Sequence, residues 1–258
     1  MPAMRLANEI ADLVRRSGVQ VEVRPGVDGF KTAAFAVEGK RSGNPEFDPD
    51  LHPLTTANSF WIRFRESDDT TIAFIAARFI KTDSLRAMAA DYSLWYGDGV
   101  RFAEPLDLMS DPSDPVLSGQ IVLDGSMWVD PSYRGRAYSW CLSRMLRCVS
   151  CDLWDPDHYF GLALSSLARS RLPVYSYGYA SIDQFARNYL IPGLPRFDIY
   201  LSPLSRLQAK AQFAMDLAFL QSSPNLVLDR AFSKSLKQHG VEVAGEMGQI
   251  GESVVAAG

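Results

Sequence analysis

The chain has 258 residues, 47% of them hydrophobic and 22% charged, which is enough apolar material for one large domain or a domain with insertions and too much for a disordered chain. A formal net charge of −4 argues against nucleic-acid binding through bulk positive charge and makes any local cluster of arginines conspicuous. Cys141, Cys148 and Cys151 are an odd set within one short stretch, which argues against a disulfide framework and makes reduced thiols the expectation.

Leu6, Ile10, Leu13 and Val14 recur at helical spacing with Gly18 at the stop position, so 4–17 is predicted as an amphipathic helix. Val19, Val21 and Val23 then alternate with Gln20, Glu22 and Arg24, the period of a half-buried strand. Residues 38–58 are rich in Gly, Pro, Asn and Asp and are predicted as a long surface loop. Phe60, Ile62 and Phe64 alternate with Trp61, Arg63 and Arg65, a turn covers Glu66 to Asp69, and Thr71 to Ile80 returns, which predicts an antiparallel hairpin. The N-terminal residues lack the apolar run of a signal peptide, and 70–80 is too short and interrupted to span a bilayer, so a cytoplasmic protein without membrane contact is expected.

Residues 81–118 read as an insertion: a short helix near Asp83 to Trp95, then a Gly-, Pro- and Asp-rich connection of the length usual for functional loops. A strand is predicted over 120–129, with Gly125 marking a bulge. Ala137, Cys141, Leu142, Met145 and Leu146 repeat at helical spacing, giving a helix to about Val149. Residues 158–164 have the length of a buried strand, and Ser165 to Arg171 form a short helix that Pro173 closes, so the middle of the chain is a βαβ unit. After the aromatic stretch 174–182 come a helix over 181–190, a strand over 196–202 and a helix over 204–220. With no internal repeat and no sharp change of composition, 1–244 is expected as a single α/β domain and 245–258 as a flexible tail.

The stretch VDPSYRGRAYSWCLSRML, Val129 to Leu146, carries the chemistry. A strand that turns tightly into a helix gathers unpaired backbone N–H groups and the positive end of the helix dipole at one point, where an anion binds well. Arg134 and Arg136 add donors suited to phosphate oxygens, and Gly135 lets the backbone approach without a Cβ. A solvated charged turn is the alternative. Neither GxxxxGK[ST] nor a GxGxxG after a strand is present, so the nucleotide loops that use them are unsupported.

This stretch resembles the coenzyme A pyrophosphate loop of the GCN5-related N-acetyltransferase (GNAT) superfamily, whose pattern after the fourth strand is V-x-P-x-x-R-G-x-G-x-G/A-x-x-L. Val129, Pro131, Arg134, Gly135, Arg136 and Leu142 fit it; Ala137 and Ser139 stand where the family has glycine, then glycine or alanine. Both are small and compatible with helical dihedrals, so a retuned site is expected rather than a lost one. The resemblance is strongest over 120–146 and extends loosely over 60–202 if 81–118 is inserted between the family's third and fourth strands. SSLARSRLPVYSYGY is similar to a later family motif in which a helix ends near a tyrosine and a Gly-Phe pair, here Gly178-Tyr179. The usual asparagine after the fifth strand is Ser165 or Ser166, and the usual tyrosine position is Val174.

The resemblance implies a GNAT-like α/β fold with a mixed central sheet flanked by helices, a C-terminal helical extension, and direct transfer of an acyl group from acetyl-CoA or another acyl-CoA to a primary amine of a small molecule or peptide. It assigns CoA binding to Met127, Trp128, Val129, Arg134, Gly135, Arg136, Ala137, Tyr138 and Ser139, and the general acid to Tyr175 or Tyr177, for which packing at the edge of the core is the alternative. Asp124, the carboxylate within the strand, is the candidate base, with an exposed aspartate on the strand's polar face as the alternative. The insertion is assigned as lid or specificity loop, and Trp128 lines either a short acyl pocket or a longer one. The rival is a non-catalytic acyl-CoA sensor or interaction module of the same fold. Cys148 and Cys151 lie at i, i+3 without a second pair, so buried cysteines and no metal are expected. The acidic segments 46–50, 111–114 and 152–157 are solvated surface or, if they line the cleft, an attraction for a cationic amine. Oligomeric state is open, a homodimer included.

Overall fold

The computed structural model describes residues 2–38, 44–97, 107–108, 117–189, 196–223, 225–236 and 238–243. The chain opens with α1 (Pro2–Arg16), β1 (Gln20–Pro25) and α2 (Phe30–Glu38), followed by a 3-10 turn (Pro45–Phe47). The hairpin is β2 (Ser59–Arg65) and β3 (Thr71–Thr82); α3 (Leu85–Ala90), α4 (Ser93–Tyr96) and the short β4 (Asp107–Leu108) come next. The middle comprises β5 (Gly119–Val129), α5 (Tyr138–Trp154), β6 (His158–Leu164), α6 (Ser165–Ser170) and α7 (Leu172–Tyr175). β7 (Asp183–Tyr189), β8 (Phe197–Ser205) and α8 (Arg206–Gln221) follow, and residues 230–236 and 238–243 are also helical.

One sheet runs in the order β1-β2-β3-β5-β6-β8-β7-β4. All its pairings are antiparallel except β5 with β6. The fold is therefore an α/β fold with a mixed central sheet and helices on both faces. On one face Leu6, Ile10, Leu13 and Val14 of α1 are buried with the inner sides of α5 and α8. Each such side chain contributes about 1.5–3 kcal/mol by leaving water. On the other face Phe30 of α2, Phe47 of the 3-10 turn and Trp95 of α4 pack on Trp61, Phe74 and Leu123 of the sheet.

Several expectations change. Where a helix is expected over 181–190, residues 183–189 are β7, a strand paired with β8 and β4, and 190 lies outside the described residues. Phe185, Ala186 and Tyr189 are buried while Arg187 and Asn188 are exposed, a helix-like pattern that two register shifts in the ladder produce from a strand. Pro173 does not close α6; the chain leaves that helix at Arg171 in the left-handed region, φ 54°, and Pro173 sits in the first turn of α7, where its missing N–H costs nothing. α5 runs past Val149 to Trp154, whose indole packs on Phe60 and Phe79. The loop at 38–58 is not all surface, because Phe47 and His52 are buried. α2 forms where no element is predicted. Most of the expected insertion loop and all of the tail 245–258 lie outside the described residues.

Charge is buried beneath the sheet. Arg144 and Arg147 on α5 and Asp216 on α8 are completely inaccessible. Arg144 Nε donates to Asp216 Oδ2 at 2.8 Å, and His239 Nε2 lies 2.8 Å from Asp216 Oδ1. Burial alone would raise the Asp216 pKa, but Arg144 and His239 outweigh it and hold the carboxyl below its ordinary value. Asp216→Ala leaves Arg144 buried without its counter-ion and is expected to cost about 3–5 kcal/mol of stability, read from urea unfolding; a loss below about 1 kcal/mol would contradict this pairing.

Candidate active site in the wedge between two parallel strands

β5 and β6 pair only through Ile121–His158, Val122–Tyr159 and Leu123–Phe160. Beyond that point β6 stays on β8 through Leu164, while β5 stays on β3 and bends. The bend is the expected bulge: the β3 register shifts opposite Gly125–Trp128, and Ser126 takes φ 51°. A Cβ on Gly125 would lie 3.2 Å from the Phe47 ring, so glycine also admits that ring to the bend. The result is a wedge whose backbone edges face a gap.

At the open end, Pro131–Tyr133 form a single 3-10 turn and α5 begins after Ala137. Among the described residues no side chain caps α5, so the amides of Tyr138, Ser139 and Trp140 keep their donors free of a capping partner there. α8 contrasts with it, because Ser205 and Gln208 close a complete capping box there. Gly135 has φ 77°, and Ala137 has φ 67° rather than the expected helical dihedral. A left-handed alanine is strained by about 1–2 kcal/mol; burial of its methyl, with the residue 8% exposed, offsets part of that.

A cavity of about 440 Å³ lies against this helix start and is lined by Met127, Trp128, Val129, Arg134, Gly135, Ala137, Tyr138, Ser139, Tyr175 and Tyr177, among others. The structure thus brings all but two of the residues singled out from the sequence to one cavity wall. Arg134 Nε donates to the Val129 carbonyl at 3.0 Å, which fixes the guanidinium at the end of β5. Arg136 stands apart: it is not on the lining, and its guanidinium lies 5.4 Å from the centre of the Tyr133 ring. Ser139 Oγ is 3.4 Å from Ser176 Oγ, linking the helix start to the segment between the two tyrosines.

A second cavity of about 300 Å³ occupies the wedge itself and includes Asp124, Arg147, Gly161, Ser166, Tyr179 and Ser202. Met127 and Tyr177 line both cavities, so they mark the junction. Asp124 belongs to this second cavity. It is not an exposed strand aspartate: it is 4% accessible, and Arg147 Nε donates to its Oδ2 at 3.1 Å. Burial pushes its pKa up to about 6, against the opposing pull of Arg147. Burial also raises the Tyr177 phenol, slightly offset by the charge of Arg134.

The sequence reading missed what holds the tyrosine segment. Arg144 Nη1 donates to the Ser176 carbonyl at 3.0 Å, and Arg147 Nη1 donates to the Tyr177 carbonyl at 2.5 Å. Gln212 Nε2 donates to the Gly178 carbonyl at 2.9 Å. The Arg147 guanidinium also lies 4.1 Å from the Tyr179 ring centre, and the Tyr179 hydroxyl fills the space left by the absent Cβ of Gly161. One signal was available: Arg144 shares the spacing of Cys141, Cys148 and Cys151, placing a charge in the apolar stripe of α5. Cys148 and Cys151 are buried free thiols, and burial raises the pKa of both. Among the described residues no group of three or more His, Cys, Asp or Glu is arranged to hold a metal, and no helix is long and apolar enough to cross a membrane.

No family model matches the chain, and no curated protein matches it. Among solved structures it is similar to NAA60 of Arabidopsis thaliana in complex with a bisubstrate analogue, at 13% identity over 72% of this chain and 98% of that one, with TM-score 0.43. It is also similar to FeeM, an N-acyl amino acid synthase from uncultured soil microbes, at 10% identity over 75% and 94%, with TM-score 0.44. A third is spermidine/spermine N-acetyltransferase SpeG from Vibrio cholerae in complex with manganese ions, at 7% identity over 76% and 97%, with TM-score 0.44.

Gly178 has φ 75°, and a Cβ there would overlap Gln212 Nε2 and the Arg144 guanidinium. Gly178→Ala is therefore expected to destabilise the protein by about 2 kcal/mol or more, measured by denaturant unfolding; wild-type stability would contradict the tight seat of this loop.

Proposed function

We propose that the chain is a CoA-dependent N-acyltransferase of the GNAT superfamily, moving an acyl group from acyl-CoA to a primary amine by direct attack. The observation that supports it most is the joining of an uncapped helix start, with Arg134 beside it, to a wedge between parallel strands that contains a buried carboxylate. An anionic diphosphate is suited to the first part, and a narrow arm carrying a thioester to the second.

In this reading the amides of Tyr138, Ser139 and Trp140 receive the diphosphate, Arg134 adds charge-assisted donors, and the strand edge at Met127 to Val129 binds the arm and polarises the thioester carbonyl. The amine nitrogen attacks the carbonyl carbon, so a C–N bond forms as the C–S bond breaks. Asp124 takes the proton from nitrogen, a role suited to a group with a pKa of about 6. The departing thiolate is protonated by Tyr177, which reaches both cavities, rather than by Tyr175, which lines only the first and lies beneath Arg171. Cytoplasmic location and an amine of small-molecule or peptide type belong to the same proposal.

Release of free CoA in the presence of acetyl-CoA and a panel of amines tests the reading; binding of acetyl-CoA without turnover of any amine would leave only a sensor of the same fold. Two predictions follow the geometry. Arg134→Ala is expected to weaken CoA binding by about 1–3 kcal/mol, and Arg136→Ala, outside the lining, by less than about 0.5 kcal/mol, both by titration calorimetry; equal losses would contradict the different placement of the two arginines. kcat/KM should rise with pH through a limb near 6 as Asp124 loses its proton, and Asp124→Asn should abolish that limb. An unchanged limb in the variant would remove Asp124 from the base role.

A further inference from the structure

The cavity at the start of α5 has one cation on its lining among the described residues: Arg136 lies over Tyr133 and off the lining, which leaves Arg134. Each neutral donor that faces an anion there then counts. Three serines bring hydroxyls to this lining, each from a different part of the chain: Ser139 at the start of α5, Ser176 after α7, and Ser233 in the helical segment 230–236. Ser139 Oγ and Ser176 Oγ have each other at 3.4 Å. Ser233 is half-buried, and among the described residues its hydroxyl has no such partner.

The C-terminal residues are held against this cavity from several sides. Asp229 Oδ1 accepts from the Phe232 amide at 2.7 Å, which starts the helical segment. The Phe232 ring packs edge-on against Trp140, with centroids 6.3 Å apart. Farther on, His239 stacks on Phe219 and reaches Asp216, and the backbone of Gly240 passes so close to the Tyr175 carbonyl oxygen that a Cβ would overlap it. The Trp140–Phe232 contact decides where Ser233 falls. Trp140 contributes one of the uncapped amides of α5, its neighbour Ser139 lines the cavity, and Ser233 follows Phe232 directly. The hydroxyl thus belongs to the helix-start end of the cavity and not to the junction with the wedge, which Met127 and Tyr177 form. We propose that the helical segment 230–236 is a further wall of the acyl-donor site and that Ser233 Oγ donates a hydrogen bond to the diphosphate of the acyl-CoA. The inference rests on the acyl-transfer reading and adds a binding residue to it.

The test is titration calorimetry of the full chain with CoA and with dephospho-CoA, which keeps the diphosphate and lacks the 3′-phosphate. Ser233→Ala should weaken CoA binding about threefold, the share of one neutral hydrogen bond, and Ser233→Thr, which keeps the hydroxyl, should restore it. Ser233→Asp sets a carboxylate against the anion and should weaken binding about tenfold or more. Ser235→Asp adds the same charge at an exposed position off the lining and should stay within about twofold of the wild type. The loss in Ser233→Asp should be as large for dephospho-CoA as for CoA. Urea unfolding of each variant shows that it is folded, and the Ala and Thr pair carries the test if the Asp variant is not. Wild-type affinity in Ser233→Ala, or equal losses in Ser233→Asp and Ser235→Asp, would overturn the proposal. So would a loss that disappears with dephospho-CoA, because the serine would then face the 3′-phosphate. If the wild type binds CoA and the Ser233 variants bind it equally well, only this assignment fails; if the wild type binds no CoA, the transfer reading fails with it.

Discussion

A parallel ladder three pairs long governs the site. β5 and β6 are joined from Ile121 to Leu123 and then part, although each remains hydrogen-bonded to its other neighbour. Backbone groups left facing a gap are costly unless something satisfies them, and a bound chain with its own amide groups is an economical solution. The bend at Ser126, the glycine that admits Phe47 and the tyrosine hydroxyl seated over Gly161 all preserve that gap. Strand geometry, more than any single side chain, makes the cavity.

The second constraint is electrostatic. Two arginines on α5 lie completely out of water, a position that is tolerable only when carboxylates and carbonyls surround them. Asp124 and Asp216 supply the charge, and the carbonyls of Ser176, Tyr177 and Gly178 accept from the Nη1 groups. The same contacts that satisfy the arginines fix the backbone on either side of Tyr177. Desolvation therefore serves two ends at once: it raises the Asp124 pKa toward neutrality and locks a phenol at the junction of the two cavities. His239 extends the network to the C-terminal helical residues, which also wall the first cavity through Ser233 and Leu236.

Much of this was legible in the sequence because it rests on local patterns. The spacing of Leu6, Ile10, Leu13 and Val14 gives α1, the alternation around Ile62 gives the hairpin, and the run from Val129 to Leu142 gives the turn into α5. Gly125 announces the bulge for a local reason too. The outer strand at 183–189 was hidden because its inward residues are spaced by register shifts, which only the partner strand imposes. Ala137 was misjudged because its left-handed dihedral follows from the path of the whole turn, and alanine does not advertise it. The arginine network was hidden for another reason: Arg144 meets Asp216 and Arg147 meets Asp124 across long separations in sequence, and an arginine in an amphipathic helix reads as surface until its partner is in place.

The most direct test is the electron density of the protein crystallised with CoA. The account predicts the diphosphate on the amides of Tyr138, Ser139 and Trp140, Arg134 against it, and the pantetheine arm running between β5 and β6 toward Tyr177. CoA bound at another place, or a wedge closed by side chains with the strands paired along their length, would contradict it.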